Sequence, residues 1–150
     1  MKTYLNESSI KNNKYFKTAE QLLKLSKKEL EEIKAYKKKN HFLKNNNSKL
    51  GKGSYIYSFD LPAVVSCPDS NPCFKTCYAN KRFFVFGTTK KSNTFNYALA
   101  LNDINYLENE LKKEIEFKGI RCIRIHSSGD FFSESYFLMW CNIATAFPDL

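Results

Sequence analysis

Long apolar runs are missing from this sequence. No stretch of about 18 or more apolar residues occurs in its 150 positions, so no membrane-spanning helix is expected. The longest apolar patch near the cysteines, Phe83-Phe84-Val85-Phe86, is too short to span a bilayer and reads as a buried segment. The start, Met1-Lys2-Thr3-Tyr4, leads into polar residues and lacks the apolar core of a secretory signal, so a cytoplasmic protein with no membrane role is expected. Internal repeats and low-complexity segments are also absent. What remains is 43% hydrophobic and 15% aromatic, enough to build the core of one ordinary domain.

Carboxylates are scarce in one region only. Residues 1–50 hold thirteen Lys against five acids, whereas residues 51–150 hold eleven basic against ten acidic residues. Eight of the nine net positive charges therefore reside in the first third. A nucleic-acid contact through that third is one reading. The other is the compositional bias of an AT-rich genome, which fifteen Asn beside the many Lys would also produce.

Two capping boxes, Thr18-Ala-Glu-Gln21 and Ser26-Lys-Lys-Glu29, predict helices near 19–24 and 27–39. Leu30, Ile33 and Tyr36 make a thin apolar stripe on the second, suited to docking on a larger body. Asn45 to Gly53 reads as a loop, dividing a lysine-rich helical extension over 1–46 from a cysteine-loop α/β domain over 47–150. A strand is expected over 54–59, a single long helix from Ser92 or Asn93 to Lys118 stopped by Gly119, a strand over 120–125, and a last helix from Ser133 to Phe147. Strand, loop, helix, strand, turn and helix in that order imply two βα units with parallel strands. The expected class is α/β, a partial (β/α) barrel-like parallel sheet with a helical N-terminal extension. A third strand would be expected beyond Leu150, from more chain or from a protein partner or oligomer covering the open sheet edge.

Five cysteines in a reducing compartment speak against disulfides, and the odd count leaves no full pairing. Three of them, Cys67, Cys73 and Cys77, fall within eleven positions. Thiolates bind soft or borderline metals, and three from one short loop leave one metal position open for a remote ligand or a substrate. The five-then-three spacing lacks the paired two-residue steps of zinc fingers and ribbons, which disfavours zinc without removing it as an alternative. Asp69, Ser70, Asn71 and Lys75 make the segment too polar for three core thiols.

In the second strand Cys122, Arg124 and His126 alternate with Arg121, Ile123 and Ile125. A doubly buried parallel strand would be apolar throughout, so the polar face is expected to line a site. Ligands of α/β folds bind beyond the carboxyl ends of the strands, which puts the cysteine loop and Ser127-Ser128-Gly129-Asp130 on one rim. There Asp130 would accept hydrogen bonds from a ligand, Arg124 would pair with a carboxylate or phosphate, and His126 would give a proton or complete a metal site. Each has a plainer role: a turn cap for Asp130, an ion pair for Arg124, a satisfied buried imidazole for His126. Cys122 is a possible distant ligand or a small strand residue. Cys141, with Phe137, Trp140 and Ala144, reads as core.

Asn47-Ser-Lys-Leu-Gly-Lys-Gly53, Phe59-Asp-Leu-Pro-Ala63, Ser66-Cys-Pro68, Cys77-Tyr-Ala79, Arg124-Ile-His-Ser-Ser-Gly-Asp-Phe131 and Trp140 together resemble the phage gene product 88-like proteins over 47–147. The resemblance implies a protein of a phage or mobile element. A wider likeness is to radical SAM enzymes. It implies that Cys67, Cys73 and Cys77 hold a [4Fe-4S] cluster and that Ser128, Gly129 and Asp130 receive S-adenosylmethionine. The spacing departs from the three-then-two pattern of those enzymes, and Asp stands where they carry Glu. The function expected is an iron-sulfur protein, with radical SAM-like chemistry as its enzymatic form. The alternatives are a zinc-stabilised nucleic-acid-binding protein and a non-enzymatic interaction protein.

Overall fold

The computed structural model describes residues 19–45, 55–67, 73, 76–80 and 87–150. Helix α1 spans Ala19–Leu23 and α2 spans Lys27–Asn40. Ser26 starts α2 with the expected reciprocal box: its hydroxyl accepts the Glu29 N–H at 3.3 Å, and the Glu29 carboxylate accepts the Ser26 N–H at 2.9 Å. The box expected at Thr18, the segment 83–86 and most of the 45–53 loop lie outside the described residues. The apolar stripe of α2 docks: Ile33 is buried, and Leu30 and Tyr36 pack beside it.

Strand β1 is Ile56–Phe59 and β2 is Cys122–Ile125, paired in parallel with Ile56 opposite Cys122 and Phe59 opposite Ile125. On the other side of β1, Lys44 bridges Ser58 in the antiparallel sense. The described residues thus form a helix-rich α/β unit around a two-stranded parallel sheet.

The connection between the strands departs from expectation. Two helices replace the single long one: α3, Gly87–Asn102, and α4, Ile104–Lys118. Asp103 breaks the run because its carboxylate is worth more as a cap, accepting the Tyr106 N–H at 3.2 Å, than as one more residue in a helix. Asn102 locks the corner by donating to the carbonyls of Leu22 and Ala98. Ser92 and Asn93 do not cap α3 but lie buried within it, where Lys37 and Lys44 donate to them. Gly119 ends α4 in the left-handed conformation, as expected (φ 59°).

Helix α5, Glu134–Ala146, is capped by Ser133 and buries Tyr136, Met139, Trp140 and Ile143. Cys141 and Ala144 are exposed and Phe137 is half-exposed, so the expected core stripe was one residue out of phase. On β2, Ile123 and Ile125 pack on the core while Cys122 and Arg124 face solvent. Beneath β1, Phe59 meets Trp140 edge to face at 5.2 Å between ring centres. The helices therefore cover one face of β2, and the polar alternation reports an uncovered face rather than a closed cavity.

Candidate functional site

Both strands end at one place, and the chain is knotted there by Asp60. This residue follows β1, and its carboxylate oxygen accepts the backbone N–H groups of Ser127, at 2.7 Å, and Ser128, at 3.2 Å, which follow β2. Leu61 N–H donates to the Ser128 carbonyl at 3.0 Å, and the Ser128 hydroxyl returns a bond to the Leu61 carbonyl at 2.8 Å. Burial pushes the Asp60 carboxyl up, against the pull of those amides and of the Lys44 charge. Gly129, at φ 86°, is obligatory in this joint: a Cβ there would sit 2.6 Å from both Leu61 Cβ and Ser66 Oγ.

The cysteine loop grows from the same root. Val65 N–H closes a three-residue turn onto the Ala63 carbonyl at 2.8 Å, with Val64 between them at φ 69°, a strained conformation for a β-branched residue. Cys67 N–H then donates to the Val64 carbonyl at 3.2 Å. At the far end of the loop Cys77 is half-buried, and the Tyr78 hydroxyl donates to the Ser127 carbonyl. Cys73 is exposed. Residues 68–72, 74 and 75 lie outside the described residues.

Burial pushes the Cys67 thiol up, and the charges of Asp130, Cys77 and Cys73 act in the same direction, so these four groups are electrostatic neighbours. Tyr97 closes the other side. Its hydroxyl, held up by burial and by Cys67, reaches the Val65 carbonyl at 3.4 Å. Among the described residues, no group of three or more His, Cys, Asp or Glu side chains stands in metal-holding geometry.

The remaining candidates are placed as follows. His126, at φ 64°, stacks on Tyr136, and its Nε2 lies 2.9 Å from the Tyr136 hydroxyl. Burial pushes the imidazole down to about 4, so it is neutral at physiological pH. Asp130 accepts the Phe131 N–H on one carboxylate oxygen at 2.8 Å. Ser128 has its N–H, carbonyl and hydroxyl all engaged with Asp60 and Leu61. Arg124 stands in solvent on the open strand face. Asp60, Tyr78 and Tyr97 were not singled out from sequence. The signals for them were the family-like motifs Phe59-Asp-Leu-Pro-Ala63 and Cys77-Tyr-Ala79, which contain Asp60 and Tyr78, and for Tyr97 its place on an apolar helix stripe.

Fold and site together define an α/β protein whose cysteine loop is fastened to the carboxyl end of a parallel strand pair. The chain belongs to the gene product 88 family, whose pattern matches residues 21–150. It is 30% identical over 122 residues to the Gene 88 protein of Mycobacterium phage D29 and 31% identical over 122 residues to that of Mycobacterium phage L5. Each alignment covers 73% of this chain and 50% of the relative, so the chain spans half the length of these curated relatives. No solved structure matches.

Proposed function

We propose that Cys67, Cys73 and Cys77 bind a [4Fe-4S] cluster, in an incomplete (β/α) barrel that further strands would extend. The observation that supports this reading is that one loop carries all three thiols, rooted by Asp60 beside the turn that bears Asp130, with Cys73, Cys77 and Asp130 each acting on the Cys67 thiol in the same direction. Three thiols are the donor chemistry that such a group takes. Four anionic or potentially anionic groups beside a half-buried position are mutually unfavourable alone and become favourable around a multivalent cation. Strained backbone at Val64 and His126, on either side of the joint, is the kind of feature that persists where a site dictates geometry.

A bound cluster supplies one-electron chemistry and, with three cysteine ligands, leaves one iron position for a substrate or cofactor. If S-adenosylmethionine is that cofactor, Asp130 takes its amine on the carboxylate oxygen not bonded to Phe131, and Arg124 takes its carboxylate. Ser128 and Gly129 shape the turn that presents Asp130. His126 contributes as a neutral imidazole held by its hydrogen bond with Tyr136 rather than as a cationic acid.

Anaerobic purification followed by iron, sulfide and zinc analysis tests the reading. Brown protein with iron and sulfide near 4:4 per chain, lost together on changing any one of Cys67, Cys73 or Cys77 to Ser but retained in Cys141→Ser, is the expected result. Colourless protein carrying one zinc per chain overturns it.

A further inference from the structure

Among the described lysines of the first third, Lys44 acts on Asp60 at the root of the cysteine loop, and others stand elsewhere. Helix α2 ends with Lys37, Lys38 and Lys39 in its last turn. One turn of charge there exceeds what the helix needs, since a macrodipole presents only about half a negative charge at its C-terminal end. Lys37 folds inward, fully buried, onto Ser92. Lys38 and Lys39 stay exposed, and no ion pair to either is present among the described residues.

Lys37 and Lys38 border a cleft of about 190 Å³ between the ends of α2 and α4. Its floor is Glu114, which is neutralised from three directions: the Phe42 and Leu43 N–H groups at 2.8 and 3.3 Å, and Lys118 at 2.6 Å. Its far wall carries Lys113, paired to Glu110 at 2.7 Å, and Phe117. Lys113 is largely solvated, and such surface pairs hold by about 0–1 kcal/mol, so an incoming phosphate can take its place. Phe117 is 88% exposed, an unusual position for a phenyl ring with no apolar partner to shield it. Cations on both walls and one bare aromatic ring beside Lys113 form the pairing with which proteins hold unpaired strands, phosphates on the charges and a base on the ring.

We propose that this cleft binds single-stranded nucleic acid, with phosphates on Lys38 and Lys113 and a base stacked on Phe117. Flat stacking on a lone side chain needs an unpaired base, which separates this mode from duplex binding. The surface is independent of the cysteine loop and does not rest on the cluster.

The test uses the full chain and a fluorescein-labelled oligothymidylate of about twenty nucleotides, read by anisotropy across a salt series. Affinity is expected to fall steeply with salt. Joint Lys38→Glu and Lys113→Glu should weaken binding more than about tenfold and flatten the salt slope by about 1.4, two phosphates' worth for a single strand. The same charge change at Lys27 and Lys28, on the opposite end of α2, should leave binding within about twofold. Phe117→Ala should weaken it by about tenfold, and Phe117→Trp should preserve it while indole emission is quenched on binding. Thermal melts confirm that each variant folds. Absence of binding at low salt, equal losses from the two lysine pairs, indifference to Phe117→Ala, or displacement by polyglutamate at matched charge would each overturn the proposal.

Discussion

At the scale of single residues, His126 shows how environment decides chemistry. Its imidazole is removed from water and bonded to Tyr136, and is held neutral down to about pH 4. The unfolded chain takes up that proton near the ordinary 6.5, so between those values the unfolded state binds more protons and stability falls as pH falls. The loss approaches an order of 3 kcal/mol by pH 4. Urea unfolding at pH 7, 5 and 4 should show it, and His126→Phe should remove most of this slope. From sequence, the alternation of Cys122, Arg124 and His126 placed all three on one polar face. The positive φ of His126 turns it away from that series, and no pattern of residue types announces a backbone reversal of that kind.

At the scale of elements, boundaries follow from caps more than from apolar spacing. Ser26, Ser133 and Gly119 were visible as caps because each stands where an apolar period starts or stops. Asp103 was not, because Tyr97, Leu101, Ile104, Leu107 and Leu111 keep helical spacing straight through it. Asp103→Ala should destabilise by about 1–2 kcal/mol, from the lost cap and the 2.9 Å ion pair to Lys34, while Asp103→Asn keeps the cap and costs under about 1. Guanidinium unfolding of both variants measures the difference. The parallel pairing of the strands was readable from the order strand, helix, strand, which implies a crossover, and it holds although the crossover is two helices and not the one expected. The phase of α5 was not, because Phe137, Trp140 and Cys141 are all apolar and either stripe would serve as core.

At the scale of the molecule, two halves of the chain meet in one carboxylate. Removing it by Asp60→Ala strands the Ser127 and Ser128 amides and should cost about 2–4 kcal/mol, whereas Asp60→Asn retains an acceptor and should cost about 1. If the cluster reading holds, Asp60→Ala also lowers iron content although no ligand has changed, because it unfastens the loop's root from the turn that bears Asp130. Iron per chain, measured beside urea stability, reports both effects. No helix among the described residues is long and apolar enough to cross a membrane, in keeping with the absence of long apolar runs. The placement of the cysteine loop and the Ser127-to-Asp130 turn on one rim followed from general rules for α/β proteins. The fastening through Asp60 and Tyr78 could be seen only once the backbone was in place.

That fastening also sets a clock. Asp130 follows Cys67 by 63 positions, and at roughly 5–20 residues per second of synthesis the thiol exists for roughly 3–13 seconds before its companion carboxylate has been made. Asp60 has no amides to hold during that interval, and Tyr78 has no Ser127 carbonyl to reach. The nascent chain therefore passes through a stage in which the cysteine loop has been made without the turn that later fastens its root, and a reagent that labels thiols would meet Cys67 at its most open before the ribosome reaches Ser127.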